Sequence, residues 1–407
     1  MVSKLSHGNV RWMDYARRSM QRPGFITWLL RFTTRSQTQT LESLTRSFYK
    51  EVTARVSLDG QQRQTFLEYV RQQHVRRPYD ERSESVEVQD FFLSDPVLPS
   101  HSGAITGEFE RKGYRHSVYV EIPTWAARLR TIRDRNYTLT DRGRVLQLAG
   151  SLLFDQEVKN LRNPLLLSLP ERYVFLFCLI DVDGDFLAEM YQLLLDKKMF
   201  TRAEAGEMAA TALRHLRDRR LKNPSTGVMQ QLRTKLDKAI EAMRNQRGTG
   251  LGPKESIATP RTEPLVDCGI LLKPNPEKYE YSFTDWGRSF LTELISREPI
   301  NDFLNSHFSS AISVLTDQSL SEKPELIDIE QPYQQLKAGI GYVSLQELSV
   351  LSVAHALSSP ARKLFEINSV EEVLKSTASQ TDRQVRFALG GAGGKQVRID
   401  PRIFRAE

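Results

Sequence analysis

Three groupings in this sequence have residue types and spacings that invite a catalytic or ligand-binding reading. Gly390-Gly-Ala-Gly-Gly-Lys395 resembles a loop whose backbone N–H groups and lysine cradle phosphates. That loop needs glycine, four residues, then Gly-Lys-Ser/Thr at the opening of a helix. Here Leu389 stands at the first glycine, Gln396 follows the lysine, and a strand-like run comes next, so a hairpin tip is expected. Asp181, Asp183 and Asp185 have the alternation of a calcium loop, but glycine is at the fourth position rather than the sixth and Gln192 replaces the twelfth-position glutamate. A solvated turn capping the next helix is expected instead. Glu157 and Lys159, after Asp141 or Asp155, have the acid-plus-lysine makeup of many nuclease sites. Those sites lie on adjoining strands, and this stretch reads as helix. The seven histidines are scattered, with no pair at metal-binding spacing. Cys178 and Cys268 are too few for a disulfide scaffold or a cysteine-rich zinc module, and both are expected reduced and buried. No catalytic, cofactor-binding or metal-binding residue is assigned, and the chain is not expected to be an enzyme.

A fourth grouping is basic. The 407 residues carry 57 Lys+Arg against 50 Asp+Glu, a net +7. The excess is uneven. Residues 1–150 hold 24 basic and 16 acidic side chains, whereas the remainder holds 33 against 34. It peaks over residues 111–144, nine against three, with Arg128, Arg130, Arg133 and Arg135 inside eight positions. A weaker concentration lies at 379–405. Such asymmetry points to a polyanionic partner on one part of the molecule.

An internal repeat locates these arginines. Tyr137-Thr-Leu-Thr-Asp-Arg-Gly-Arg144 and Tyr281-Ser-Phe-Thr-Asp-Trp-Gly-Arg288 agree at five of eight positions, at an offset of 144 residues. In each copy a strand-like alternation runs into a threonine placed as a helix N-cap, with aspartate in the first turn. Each copy follows a candidate helix, Thr124 to Ile132 and Thr259 to Gly269, and a turn. In this respect the sequence resembles the winged-helix family, in which a recognition helix leads into a β-hairpin wing whose second strand ends in Tyr-x-Leu-Thr-x-x-Gly. Tyr137, Leu139, Thr140 and Gly143 match that pattern, and Tyr281, Phe283, Thr284 and Gly287 match it with Phe for Leu. The resemblance covers two short stretches. It is compatible with multi-winged-helix accessory proteins of bacterial DNA-defence (antiviral) or chromosome-organisation systems.

Elements expected around the repeat agree with a three-part chain. Residues 1–150 comprise a helical region (12–20, 25–31, 41–56, 62–74), a polar stretch (76–104), strands over 105–122 and the first winged helix. Residues 151–300 comprise the second. There a helix over 140–161 leads to helices at 170–180 and 186–196, a capping-box helix from Thr201 to Leu221, and an amphipathic helix at 227–245 inserted before the recognition helix. Residues 301–407 open with an acidic, linker-like stretch at 321–332. Helices at 345–357, 369–376 and 381–389 and a strand at 396–399 then suggest a third winged helix with a glycine-tipped wing.

The expected fold class is therefore mainly α with small β-hairpins (α+β), built as tandem winged-helix domains. The expected partner is double-stranded DNA, held by Arg128, Arg130, Arg133, Arg135, Arg142, Arg144, Lys395 and Arg398, because phosphate contacts need cations. Arg133 and Arg135 flank the expected wing tip and are placed to enter a minor groove. Residues 253–294 hold five basic against seven acidic side chains, so the second unit is expected to pack on the first or on a protein. No export signal or run of roughly 20 apolar residues is evident, and a cytoplasmic location is expected. The function expected is that of a non-enzymatic DNA-binding subunit of a bacterial DNA-processing or defence complex. The alternative is an architectural adaptor whose winged helices dock protein partners such as an ATPase or translocase.

Overall fold

The computed structural model describes residues 11, 13, 23–31, 33, 122–133, 137–152, 167–222, 226–244, 253–275, 278–314, 320, 323–337, 339, 341–358, 364–381, 384–390 and 394–405. The helices expected over 12–20, 41–56 and 62–74, the strands of 105–121, and Asp155, Glu157 and Lys159 lie outside these residues, apart from Met13.

The described chain is mainly helical, with two small three-stranded antiparallel sheets. Its axis is helix α4, Leu169–Gln192, here numbered after α1 (Pro23–Leu30), α2 (Ile122–Arg128) and α3 (Asp141–Ala149). Ser168 caps α4 in a capping box with Glu171, and Pro170 lies in the first turn, where a missing N–H costs nothing. Tyr173, Phe175, Phe177, Ile180, Phe186 and Met190 are buried around its circumference. A helix buried on nearly all sides belongs in the interior, and α4 packs against elements from every part of the described chain.

This corrects the reading of 170–196 as two helices joined by a turn. Asp181, Asp183 and Asp185 lie inside one continuous helix, all three buried. Gly184 lets Ile300 pack close; a Cβ there would stand 2.9 Å from its Cγ2. The carboxylates survive burial because arginines distant in sequence reach them, which local pattern does not reveal.

After α4 come β1 (Phe200–Thr201), α5 (Arg202–His215), a π-turn over Leu216–Arg220, α6 (Gly227–Arg244), α7 (Pro253–Asp267), β2 (Leu271–Asn275), β3 (Glu280–Phe283) and α8 (Asp285–Ser296). The sheet order is β1-β3-β2. Helices α9 (Ile300–Ser306) and α10 (Phe308–Ser313) pack Phe303 and Phe308 edge-on against Phe290. The last part runs α11 (Leu326–Leu336), β4 (Val343–Ser344), α12 (Leu345–Ser358), α13 (Ile367–Gln380), β5 (Val385–Leu389), β6 (Lys395–Ile399) and a 3-10 turn, Pro401–Arg405. Its sheet order is β4-β6-β5. Leaving α6 aside, both parts run helix, strand, helix, helix, strand, strand, and in both the first strand pairs with the third.

Local chemistry repeats as well. Thr201 caps α5 in a capping box with Glu204, and Ser344 donates its hydroxyl to Glu347 at the start of α12. Helix α6 falls where the amphipathic pattern put it, with Leu236, Ile240 and Met243 buried. Three other expectations change. Residues 385–389 form a strand, because they pair with β6 in unbroken register. The presumed linker of 321–332 runs instead into helix α11, Leu326–Leu336, whose Ile329 and Tyr333 are buried. Helix α3 ends at Ala149, with Gly150 as its C-cap, rather than running on toward 161. Among the described residues no helix is long and apolar enough to cross a membrane.

Candidate nucleic-acid interface

The octapeptide repeat is a structural device. In the first copy the Thr140 hydroxyl accepts from Gly143 N at 3.0 Å, and Thr140 N donates to Thr131 O at 3.1 Å. In the second, Thr284 accepts from Gly287 N at 3.0 Å and donates through its own N to Ile270 O at 3.1 Å. Each threonine hydroxyl also returns a hydrogen bond to the carbonyls at the end of the preceding helix, Arg130 and Thr131 or Gly269 and Ile270. Each glycine lies against the same carbonyl. A Cβ would stand 1.8 Å from Thr131 O at Gly143 and 2.0 Å from Ile270 O at Gly287. In both copies the residue closing the preceding helix is left-handed: Arg130 at φ 61° and Gly269 at φ 81°.

Glycine adopts this conformation at no steric cost, whereas a non-glycine residue there costs about 1–3 kcal/mol. The first hairpin is minimal, a single bridge between Ile132 and Leu139 closed by Tyr137 N to Arg133 O. Arg128, Arg130 and Arg133 are exposed around it. Arg128 and Arg133 have no side-chain partner among the described residues. Arg135 lies outside them.

Arg142 is a different case. It is buried, not a surface contact, and donates to Asp181 of α4 at 2.7 Å with Glu347 of α12 at 3.7 Å. One guanidinium thus ties the first hairpin to the central helix and to the last part of the chain. Its assignment as a DNA contact is withdrawn, because a buried, doubly paired guanidinium cannot reach a phosphate. Arg144 is half-buried and donates to Gln147.

Asp181 is the lowest rung of a ladder on one face of α4, followed at helical spacing by Asp185 and Glu189. Asp181 takes Arg142, Arg11 at 3.3 Å and Arg130 at 3.5 Å. Asp185 accepts from Arg11 N at 2.6 Å and has Arg220 at 3.9 Å. Glu189 meets His215 at 3.1 Å and Arg219 at 3.8 Å. Burial works to raise the Asp181 carboxyl, but Arg142, Arg11 and Arg130 outweigh it and hold it below the ordinary carboxylate range. Burial wins at Asp185, where the nearest guanidinium is more distant, and pushes that carboxyl up. Asp183, on another face, pairs with fully buried Arg261, which also donates to Met13 O. Arg11, Arg219 and Arg220 were missed as companions of Arg130. Once 169–192 is one helix, the i, i+4, i+8 spacing of the carboxylates points to them.

Lys395 and Arg398 are exposed on β6, far along the chain, and among the described residues share no ion-pair partner with the first hairpin. Lys395 is bound to Glu371 of α13 at 2.5 Å, and Glu371 also holds Lys375. The glycine tip is a hairpin turn, closed by Gly390 N to Gly394 O at 2.8 Å. Both cysteines are free and buried, and burial pushes the Cys178 thiol up to about 12. Among the described residues no group of three His, Cys, Asp or Glu side chains could hold a metal ion.

What the site defines is a class of surface: an exposed arginine hairpin braced on buried carboxylates. Comparison with protein-family models, curated proteins and solved structures finds no match to this chain.

Proposed function

We propose that the chain is a non-enzymatic double-stranded DNA-binding protein built of winged-helix units, acting as a subunit of a bacterial DNA-processing or defence complex. The element order helix, strand, helix, helix, hairpin, with the first strand beside the third, supports the winged-helix reading of 169–283 and 326–399. The helix–hairpin–helix of 122–149 shares with the second unit its capped threonine and its buried glycine.

The observation that carries the DNA reading is the set Arg128, Arg130 and Arg133. They are exposed on one hairpin within a segment of net +6, and one is kept where glycine would fit better. The other two units are poorer candidates. Helix α7, placed as a recognition helix would be, is buried on all sides from Ala258 to Leu265 and cannot enter a groove. Helix α13 carries Glu371 and Glu372 against a single lysine, Lys375, and so has no cationic excess to offer phosphate. These two observations favour a second role for those units, docking protein partners, within the same subunit.

Fluorescence anisotropy on a short duplex across a salt series tests the proposal. Log K falls by roughly 0.9 per phosphate contact per decade of salt. The triple variant Arg128→Ala/Arg130→Ala/Arg133→Ala is expected to flatten that slope by about 2 to 3 while leaving the fold intact. A wild-type chain that does not bind duplex at low salt sinks the DNA reading and leaves the adaptor role.

A further inference from the structure

The cationic excess before residue 150 has a counterpart that the near-neutral balance of the remainder conceals. Residues 214–222, Arg-His-Leu-Arg-Asp-Arg-Arg-Leu-Lys, hold five basic side chains against one acidic. They close α5 and form the π-turn that leads toward α6. One or two cations at a helix C-terminus complement its dipole; five exceed that need. Both leucines of the stretch, Leu216 and Leu221, are buried, so its exposed side chains are charged ones. The nearby acids do not cancel them. Asp218 is taken by Arg217 at 2.7 Å, which also meets Asp237 of α6 at 3.6 Å, and Glu298 is taken by Arg220. Arg214 and Lys222 are exposed, with no side-chain partner among the described residues. The corner is also held in place: Arg233 of α6 donates to the carbonyls of Leu221 and Lys222, at 3.2 and 2.7 Å.

Helix α4 sets this corner beside the first hairpin. Its carboxylate ladder holds Arg130 of the hairpin at Asp181, Arg220 at Asp185, and Arg219 with His215 at Glu189. Asp181 and Glu189 stand at i and i+8 on one face, about 12 Å apart along the axis. The side chains of Arg130 and Arg219, 57% and 63% exposed, are therefore anchored at about that spacing on one rigid element. Two basic clusters far apart in sequence thus meet on the same face of the same helix. About 12 Å corresponds to three or four phosphates of one strand, at about 3.4 Å of rise each. A duplex suits such a surface better than an acidic protein segment does. Peptide sites are anchored by apolar side chains in pockets, and residues 214–222 expose none.

We infer that the corner closing α5 is a second phosphate-contact surface, and that one duplex lies across it and the first hairpin together. The inference rests on the DNA reading above and extends it: Arg214, Arg219 and Lys222 take phosphates next to those held by Arg128, Arg130 and Arg133. The second unit then meets DNA through this corner, while its buried α7 stays in the core. Contacts of this kind fix position and supply affinity but read no base edges, so the corner adds binding without sequence preference.

The test uses the full chain and a fluorescein-labelled duplex of about 20 base pairs, long enough to cross both clusters, titrated by anisotropy across a salt series. Arg214→Ala/Arg219→Ala/Lys222→Ala is expected to weaken binding at least tenfold and to flatten the slope of log K against log salt by about 2 to 3, with an unchanged melting temperature. Arg214→Lys/Arg219→Lys keeps the charges and is expected to keep the slope. Saturation is expected at one duplex per chain. Lys222→p-benzoylphenylalanine in an otherwise unaltered chain is expected to photo-crosslink to the duplex, a readout that does not depend on removing the cluster. A corner variant with the wild-type slope overturns the inference; if Arg128→Ala/Arg130→Ala/Arg133→Ala flattens the slope in the same experiment, the DNA reading stands without it. Two duplexes bound per chain overturn the single surface. An oligoglutamate peptide that crosslinks at position 222 and is not displaced by duplex assigns the corner to an acidic protein segment and overturns it too. A wild-type chain that binds no duplex at low salt sinks both readings.

Discussion

The two copies of the Thr-x-x-Gly hairpin solve one backbone problem identically and then diverge in the side chains mounted on it. Between the shared aspartate and glycine, the first copy has Arg142 and the second Trp286. Arg142 points its charge at Asp181 and Glu347, whereas Trp286 lies half-buried against Phe290. The hairpin is thus a mounting whose threonine and glycine fix the geometry. The residue between them selects the neighbour: a buried carboxylate in one case, an aromatic cluster in the other. The left-handed position diverges in the same way. Gly269 takes it for free, and Arg130 takes it at a cost and projects a cation. Invariance lies in the backbone lock, and difference in function lies in the side chains hung on it.

The equivalence of the locks should show in the largest effects. Gly143→Ala and Gly287→Ala each force a methyl onto a carbonyl oxygen, and each is expected to destabilise by about 3 kcal/mol in urea unfolding. A harmless substitution at either site would break the comparison at its root. The divergent position comes next. Arg142→Ala leaves Asp181 buried with only Arg11 and Arg130, and a loss of about 2 kcal/mol is expected. This loss depends on pH in a defined sense. The folded-state pKa of Asp181 is depressed, so the carboxylate contributes stability above its ordinary range and loses that contribution as pH falls through the depressed value. The gap between wild type and Arg142→Ala should therefore be full at pH 7 and close on acidification below about pH 4. Trp286→Ala should show no such closure.

Smaller effects sharpen the picture. Thr140→Ala and Thr284→Ala each remove one N-cap and should cost about 1 kcal/mol apiece, by thermal or urea melts. Arg130→Gly is expected to be the mildest for the fold. Relief of the left-handed strain offsets loss of a half-exposed ion pair, leaving a stability change within about 1 kcal/mol. The same variant should bind duplex DNA more weakly. If it binds as well as wild type, the arginine at that position serves Asp181 alone.

Much of the local architecture was legible in the residues. Five identities in eight positions marked two equivalent hairpins because the Thr-x-x-Gly lock needs those residue types. Thr201 and Glu204 announced a helix start, and the spacing of Leu232, Leu236, Ile240 and Met243 announced α6 with its bounds nearly right. Other elements were not legible. Residues 381–389 read as helix because so short a stretch does not declare its period, whereas residues 385–389 pair with β6 as strand. Helix α7 extends six residues earlier than Thr259 and contains Pro260 and Pro264, which local propensity disfavours. It is held by burial against α5 and by the Arg261–Asp183 pair.

The sequence by itself determined the hairpin locks, the helix caps, the concentration of cations before residue 150, and the mainly helical character of the chain. These depend on neighbours within a few residues, and short-range geometry writes them directly into residue type. Only the tertiary structure decided that Asp181, Asp183 and Asp185 belong inside a helix, that Arg142 is a buried brace, and that residues 385–389 are a strand. Each of those facts rests on groups brought together from distant parts of the chain: Arg11 and Arg142 on Asp181, Arg261 on Asp183, β6 on β5. A charge or a strand has its meaning set by what folds against it, and no local pattern carries that information.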